Sequence, residues 1–241
     1  MIKIGVFGTC RIENYDIQDL IKIKSELPYI YINDNIEINI RPLGYTTTTS
    51  DIYQNFKLIK SNNYTMINND FLFKNIFLKR GGLSIITSLD YTYIVLEICS
   101  IKKLIHKETN FIIPYEVEGP FDPNDYIVES ETFNETVENI LNIQKLLNCK
   151  IILLPPITEI SGHIKIGKHE NTLPDKVLNY RNEIINRLES ATNNNNIFFI
   201  NWNKFIKEEG EKKMLEDQFH FTIYGQQYIS NKIINFIIKQ K

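Results

Sequence analysis

The chain has 241 residues, with 27 Lys and Arg against 29 Asp and Glu, and a formal net charge of −2. Apolar residues make up 43% of the sequence and charged residues 23%, a composition typical of a globular protein with a substantial core. The near-neutral charge argues against a general nucleic-acid-binding protein, which would present a basic face. The length fits one α/β domain, and we predict a single domain over residues 1–241.

The N-terminal apolar run is too short for the h-region of a signal peptide and is followed by no cleavage-site pattern. No window approaches the roughly 18 apolar residues of a membrane span. The three cysteines, Cys10, Cys99 and Cys149, are widely spaced and form no Cys-x-x-Cys pair. This usage fits a reducing compartment and excludes a disulfide framework or a zinc ribbon. We therefore expect a cytoplasmic protein that does not enter a membrane.

Short apolar runs alternate with helical patterns along the chain. The runs that predict strands are Ile2–Phe7, Ile36–Ile40, Tyr93–Ile98, Lys150–Pro155 and Ile197–Trp202. The helical segments are one that begins after an N-cap at Ser50 or Asp51, then Thr132–Leu147, Val177–Leu188 and Ile223–Ile238. This alternation predicts a three-layer α/β/α sandwich with a five-stranded parallel sheet. Between the third and fourth strands, Phe111–Asn134 is interpreted as an irregular excursion at a pocket rim.

In a doubly wound sheet, ligands bind at the carboxyl ends of the strands. The first predicted strand is followed there by Gly8-Thr9-Cys10-Arg11. A thiol at this position, beside Arg11 and at the start of the next segment, should have a lowered pKa and therefore more thiolate. Cys10 is thus a candidate nucleophile.

A second polar block, Asp217-Gln-Phe-His220-Phe-Thr-x-x-Gly225, directly precedes the last predicted helix. The Asp-x-x-His spacing puts both side chains on one turn. His220 can then face a nucleophile while Asp217 orients its other ring nitrogen.

These two blocks resemble those of the SGNH (GDSL-type) hydrolase superfamily. Gly8-Thr9-Cys10 stands where that superfamily has Gly-Asp-Ser, and Asp217-x-x-His220 is similar to its C-terminal Asp-x-x-His block. The resemblance implies an SGNH/flavodoxin-like fold. It also implies that Gly44, after the second predicted strand, supplies a backbone N–H to the oxyanion hole. With cysteine in the serine position, the chain resembles the Cys-containing SGNH-like proteins of bacterial glycan gene clusters, which include proposed capsular-polysaccharide acetyltransferases.

The third block of the superfamily, Gly-x-Asn-Asp, is not present. The corresponding place holds Glu97-Ile98-Cys99-Ser100, without an Asn to complete the oxyanion hole. Either Ser100 or a backbone N–H substitutes, or the acyl chemistry is weak or absent. Glu97, a charged residue in an apolar strand, is either part of a structural ion pair or part of the site.

The resemblance implies acyl chemistry on a glycan, as a carbohydrate esterase or an O-acyltransferase. Cys10 would be the nucleophile, His220 the base and Asp217 its orienting partner, while Gly44, Ser100, Arg11 and Glu97 would contact the oxyanion or the substrate. No metal or other cofactor is required, although coenzyme A or acetyl-CoA is a possible acyl donor. The expected partners are glycans, nucleotide sugars or small acyl compounds.

Two further hypotheses remain open. In the first, a coenzyme A-dependent acetyltransferase uses His220 directly on the sugar hydroxyl, without a covalent intermediate. In the second, an inactive SGNH-like fold binds glycan, which the missing Asn favours. The remaining polar residues are interpreted as structural or solvated: Cys99 and Cys149 as packing, Lys79–Gly82 as a basic turn, His163 and His169 as a pocket-lining loop rather than zinc ligands, and Arg181 and Arg187 as solvated.

Overall fold

The structure is a computed structural model that describes residues 1–8, 29–33, 36–45, 48–61, 90–114, 122–160, 175–193, 196–217 and 220–240. Its strands are β1 (Ile2–Gly8), β2 (Tyr29–Asn33), β3 (Ile36–Tyr45), β4 (Tyr93–Glu97), β5 (Lys102–His106), β6 (Ile112–Pro114), β7 (Tyr126–Ser130), β8 (Lys150–Leu154) and β9 (Ile197–Phe199). Its α-helices are α1 (Thr49–Ser61), α2 (Phe133–Leu147), α3 (Asp175–Ser190), α4 (Trp202–Glu209), α5 (Glu211–Met214) and α6 (Ile223–Lys239).

The main sheet has the strand order β2-β3-β1-β4-β8-β9. Strand β1 pairs in parallel with β3 and β4, and β8 pairs in parallel with β4 and β9. The predicted α/β fold with a parallel sheet is therefore confirmed. All five predicted strands are present and mutually parallel, but the predicted number is corrected to six among the described residues, because an additional edge strand, β2, runs antiparallel to β3.

Two predicted boundaries are also corrected. The last strand ends at Phe199, and Trp202 instead begins α4, capped by the Asn201 side chain. Helix α1 begins before the predicted cap, so Ser50 and Asp51 lie in its first turn.

Two apolar clusters lie on opposite faces of the main sheet. Because side chains alternate along a strand, Ile94 and Leu96 of β4 join the cluster beneath α1, α2 and α3. Tyr93 and Val95 join the other cluster, which is covered by α4 and α6. Each fully buried Ile or Leu contributes about 1.5–3 kcal/mol through removal from water. Burial on both faces explains why these strands are continuous apolar runs.

The chain segment between β4 and α2 forms a second, three-stranded antiparallel sheet in the order β6-β5-β7. This small sheet corrects the prediction of an irregular excursion over Phe111–Asn134, since β6, β7 and the start of α2 fall in that range. Four of the five residues of β7 are exposed.

A buried carboxylate ties the small sheet to helix α1. Glu131 follows β7 and is 1% exposed. Its carboxylate accepts hydrogen bonds from the Ser50 backbone N–H at 2.6 Å and from the hydroxyls of Thr49 and Thr136 at 2.9 and 3.1 Å. The carboxylate thus satisfies donors at the N-terminus of α1, where the helix dipole also favours a negative charge.

The prediction that Arg181 and Arg187 are solvated is wrong. Arg187 is buried, donates from Nη1 to the Glu131 carbonyl at 2.7 Å and forms an ion pair with Glu183. Arg181 is buried and donates to the Ile157 carbonyl in the loop after β8. Both guanidinium groups offset their burial with hydrogen bonds to backbone oxygens.

Glu135 should make the stability of the protein depend on acidic pH. Burial alone would raise the pKa of Glu135, but the hydrogen bond and charge of Lys103 and the Ser50 hydroxyl hold it below its usual 4.5. A carboxyl whose pKa is depressed by folding stabilises the protein above its unfolded pKa and loses that contribution as the pH falls through the folded pKa. We expect Glu135→Gln to lower the urea midpoint at pH 7. Its deficit should shrink as the pH drops below about 4.5. The exposed Glu138→Gln is the control, and a Glu135→Gln deficit that is constant from pH 7 to 3 would contradict the prediction.

Candidate active site

The carboxyl ends of four neighbouring strands form one edge of the main sheet. Gly8 of β1 is paired with Tyr45 of β3, and Phe7 is paired with Leu96, so Glu97 lies level with Gly8 one strand away. Glu97 is in turn paired with Leu154 of β8. Cys10 and Arg11 follow β1 by two and three positions and lie outside the described residues. The chain therefore reaches them from the strand end where ligands bind in sheets of this type.

Gly44 lies at this edge, beside a β-bulge. Val6 pairs with Pro42 but Phe7 pairs with Gly44, so Leu43 is an extra residue on β3. A bulge bends the strand and changes the direction of the following residues, and bulges are frequent next to active sites. The structure thus places Gly44 opposite Phe7 on the neighbouring strand β1, one residue before Gly8.

Asp217 and His220 are joined by two hydrogen bonds within one tight turn. The Asp217 carboxylate accepts the His220 backbone N–H at Oδ1 and lies 2.7 Å from ring Nδ1 through Oδ2. The turn is closed by an antiparallel bridge between Leu215 and Phe221. Since a carboxylate can only accept here, we assign the hydrogen to Nδ1, which leaves the basic lone pair on Nε2. This is the tautomer that a general base requires.

The Asp217–His220 pair lies near the carboxyl edge of the sheet. Phe221, the residue after His220, packs edge-on against Trp202, with 5.1 Å between the ring centroids. Trp202 is fully buried and begins α4 three positions after the end of β9. About a third of the His220 side chain remains exposed, so the imidazole is accessible to a substrate.

Glu97 points to the same face of the sheet as this pair. It alternates along β4 with Tyr93 and Val95, whose side chains face α4 and α6. Its residue exposure is 0%, the most complete burial of the predicted site residues that the structure describes. Glu97 thus lies at this edge on the face of His220 but is fully enclosed, and both the structural and the site interpretation of this residue stay predictions.

Ser100 lies in the turn between β4 and β5. Its hydroxyl is 3.1 Å from the Tyr180 hydroxyl and accepts the Lys102 backbone N–H at 3.0 Å. Tyr180 belongs to α3, which covers the opposite face of the sheet from Trp202. The described contacts of Ser100 therefore shape this turn, and the structure does not bring it to the Asp217–His220 pair.

A residue to which the sequence analysis gave no role organises the neighbouring loop. Asn203 of α4 is buried, its Oδ1 accepts the Thr158 backbone N–H at 2.7 Å, and its Nδ2 donates to the Pro156 carbonyl at 3.0 Å. The Asn203 side-chain amide thus fixes the loop after β8 by accepting one hydrogen bond from its backbone and donating another to it. The sequence signal for Asn203 is its position directly after the fifth predicted strand, at the edge of the sheet where polar residues often belong to a binding site.

Cys149 should be unreactive in the folded protein. It is buried in the core beneath α2, and burial raises the pKa of its thiol to about 12. At pH 8 only about one thiol in 10⁴ would then be ionised, and the thiolate is the nucleophile. We expect no iodoacetamide labelling of Cys149 at pH 8 without denaturant and complete labelling in 8 M urea, as read by peptide mass spectrometry. Labelling of native Cys149 as fast as in urea would contradict the burial that the structure shows.

The other predicted features have the following positions. Cys99 is partly exposed just after β4, whereas Lys79–Gly82, His163 and His169 lie outside the described residues. Across the described ranges, no group of three or more His, Cys, Asp or Glu side chains is arranged to hold a metal ion. None of the helices in the described part of the chain is long and apolar enough to cross a membrane.

Comparisons with known proteins give a distant structural likeness. The chain matches no protein-family model. No curated protein matches it either. Among solved structures, it is similar to the acetyl xylan esterase AlAXEase, with 14% identity, a TM-score of 0.45 and coverage of 98% of this chain and 100% of that chain.

Two further solved structures are similar at the same level. One is a mutant of Axe2, an acetyl-xylooligosaccharide esterase from a Geobacillus species, with 13% identity, a TM-score of 0.43 and coverage of 97% and 93% of the two chains. The other is LAE5, an alpha/beta hydrolase from the metagenome of Lake Arreo, Spain, with 11% identity, a TM-score of 0.43 and coverage of 97% and 94%. Because the identities and TM-scores are this low, the likeness assigns no role to any residue of this chain.

Proposed function

We propose that this protein is an SGNH-like enzyme that transfers acyl groups of a glycan, as a carbohydrate esterase or an O-acyltransferase. The observation that carries the proposal is the Asp217–His220 pair. Its short carboxylate–imidazole hydrogen bond sets the tautomer of a general base. Two observations support the proposal: Phe221, next to His220, packs on Trp202 just after β9, and the chain that leads to Cys10 leaves β1 at the same carboxyl edge of the sheet.

In the proposed mechanism, His220 Nε2 takes the thiol proton of Cys10 as Sγ attacks the ester carbonyl carbon. The backbone N–H groups of Cys10 and Gly44 receive the developing oxyanion. The C–O bond then breaks, and the leaving sugar oxygen takes the proton from His220, which leaves a thioester on Cys10. Water or a second sugar hydroxyl gives its proton to His220 as its oxygen attacks the thioester carbon. The C–S bond then breaks, and Sγ takes the proton back from His220 to restore the thiol. Water gives an esterase and a sugar hydroxyl gives an acyltransferase.

The remaining residues have separate roles in this proposal. Arg11, next to Cys10, would favour the thiolate. Glu97 is fully buried at this edge of the sheet, so it would support the substrate site from behind rather than contact the sugar. Since Ser100 is engaged in its own turn, a backbone N–H is the better substitute for the missing Asn.

A second candidate is a coenzyme A-dependent acetyltransferase. Here His220 would deprotonate the sugar hydroxyl, which attacks the acetyl-CoA carbonyl directly. The Asp217–His220 pair is sufficient for this chemistry, and Cys10 would only line the donor site. The third candidate, a fold that binds glycan without catalysis, keeps the pair as a structural turn.

The deciding experiment uses p-nitrophenyl acetate with the intact protein. We expect a burst of p-nitrophenol and a mass increase of one acetyl group on the Cys10 peptide after rapid quenching. Cys10→Ala should abolish both, whereas Cys99→Ala should retain them. Turnover of acetyl-CoA with a sugar acceptor by Cys10→Ala would instead support the second candidate. No acetylation and no turnover of either donor would contradict catalysis and leave the binding fold.

A further inference from the structure

A cleft of about 480 Å³ opens beside the loop that follows β8. It lies between this loop, helix α3 and the junction of α4 with α5. Its lining comprises Thr158, Glu159, Ile160, Leu178, Asn182, Ile206, Lys207, Gly210 and Glu211. The volume falls in the range of small-molecule sites, about 300–1,000 Å³. Its wall begins at Thr158, four positions after the carboxyl end of β8, so the cleft opens at the same edge of the sheet as the candidate active site.

The wall of the cleft is held in place before any ligand binds. Besides the two hydrogen bonds of Asn203, the Ile157 carbonyl accepts from the buried Arg181. The Ile160 backbone N–H closes a tight turn onto the Thr158 carbonyl at 3.0 Å. The loop after β8 has no regular secondary structure, yet buried side chains from α3 and α4 fix its backbone. A fixed wall reduces the ordering cost of binding.

The lining combines an aliphatic part with a polar part. Leu178 and Ile206 supply aliphatic surface, and Asn182 supplies amide donors and an acceptor. Glu159 and Glu211 can only accept when ionised, so they match hydroxyl donors. A sugar ring offers both kinds of surface, since its hydroxyls donate and accept while its C–H faces are apolar.

The charges of the lining restrict which kinds of sugar the cleft can bind. The described lining contains two carboxylates, Glu159 and Glu211, and one ammonium group, that of Lys207, which gives these residues together a formal charge of −1. This balance disfavours uronic, sialic or phosphorylated sugars through like-charge repulsion. The described lining includes no aromatic side chain on which a nucleobase would stack.

We propose that this cleft binds a neutral sugar unit of the glycan, next to the unit that carries or receives the acyl group. The assignment deepens the proposed function, on which it rests for the presence of a glycan. The cleft itself is defined by residues outside the proposed catalytic set.

The test is an NMR titration of the isotope-labelled full chain with xylotriose, chitotriose and trigalacturonate. We expect a neutral trisaccharide to give saturable shifts centred on Thr158–Ile160 and Asn182, with binding at least ten-fold tighter than that of trigalacturonate. Asn182→Leu should weaken binding at least ten-fold. Asn186→Leu, the same change one turn further along α3 at an exposed position, should not. Glu159→Gln should narrow the difference between the neutral and the acidic probe.

The same titration with His220→Ala separates this inference from the catalytic one. Binding that persists in His220→Ala supports the cleft, whatever the acetylation experiment gives. No saturable shift with either neutral probe, equal losses in Asn182→Leu and Asn186→Leu, or tighter binding of trigalacturonate would each overturn the assignment.

Discussion

Asp217→Asn should reduce kcat for ester hydrolysis by about 10³–10⁴-fold with little change in KM. If the Asn side-chain oxygen keeps the hydrogen bond to the His220 backbone N–H, its NH₂ group faces ring Nδ1. An NH₂ group donates, so Nδ1 must become the acceptor and the ring hydrogen moves to Nε2. The imidazole then presents a hydrogen to the nucleophile instead of a lone pair. The geometry survives, but the base is in the wrong tautomer.

The measurement is a steady-state comparison of Asp217→Asn, His220→Ala and the control Glu216→Gln on p-nitrophenyl acetate. Glu216 is the exposed neighbour of Asp217, and its change should alter kcat less than two-fold. His220→Ala should be at least as slow as Asp217→Asn. Wild-type rates in Asp217→Asn, or equal losses in Glu216→Gln, would remove the pair from the mechanism.

Gly225→Ala should destabilise the protein by about 3 kcal/mol and inactivate the fraction that folds. A Cβ at this position would lie 2.1 Å from the Met214 carbonyl oxygen, which also accepts the Thr222 backbone N–H at 2.9 Å. The atoms of Met214 nearest to the added Cβ are all backbone atoms, so a change of side-chain rotamer cannot relieve the clash. Helix α6 must move away from α5, and the turn that carries His220 connects these two helices.

Urea unfolding and the rate on p-nitrophenyl acetate measure the two effects. Gly210→Ala is the informative contrast, because Gly210 has φ +92° but no atom within 4 Å of an added Cβ. Its substitution should cost about 1–3 kcal/mol of backbone strain and leave the rate of the folded protein on p-nitrophenyl acetate unchanged, since this ester has no sugar to occupy the cleft. Gln227→Ala, at an exposed position of α6, should be neutral. A neutral Gly225→Ala would contradict the packing of α6 on α5.

The sequence predicts the central strands well because they are buried on both faces. Strands β1, β4 and β8 consist mainly of apolar residues, a pattern that is local and strong. Strand β7 has no such pattern, since most of its side chains are exposed. Strand β2 carries the β-forming run Tyr-Ile-Tyr-Ile followed by Asn-Asp-Asn, a sequence that is typical of a strand before a polar turn, so this edge strand has a local sequence signal.

The candidate site likewise contains local contacts that the sequence predicts and long-range contacts that it does not. The Asp217–His220 contact spans three residues, so the motif alone specifies the geometry. The burial of Arg187 depends on Glu131, 56 residues away, and the role of Asn203 depends on Thr158, 45 residues away. No local pattern encodes such pairs, because each polar side chain is ordinary in its own segment. Tertiary packing decides whether such an arginine faces water or a distant carbonyl.

The Glu131 carboxylate has a consequence for how this domain can be altered by insertion and deletion. A small sheet on a surface would ordinarily be a detachable module, lost or exchanged with little effect on the rest. Here its removal would take away the acceptor for the Ser50 N–H and the Thr49 and Thr136 hydroxyls, all of which are buried or nearly so. Native-state hydrogen exchange should therefore show the first turn of α1 and the residues around β7 opening together, with one common free energy. Descendants of this sequence that shorten the small sheet would need a new partner for the start of α1, supplied from elsewhere in the chain.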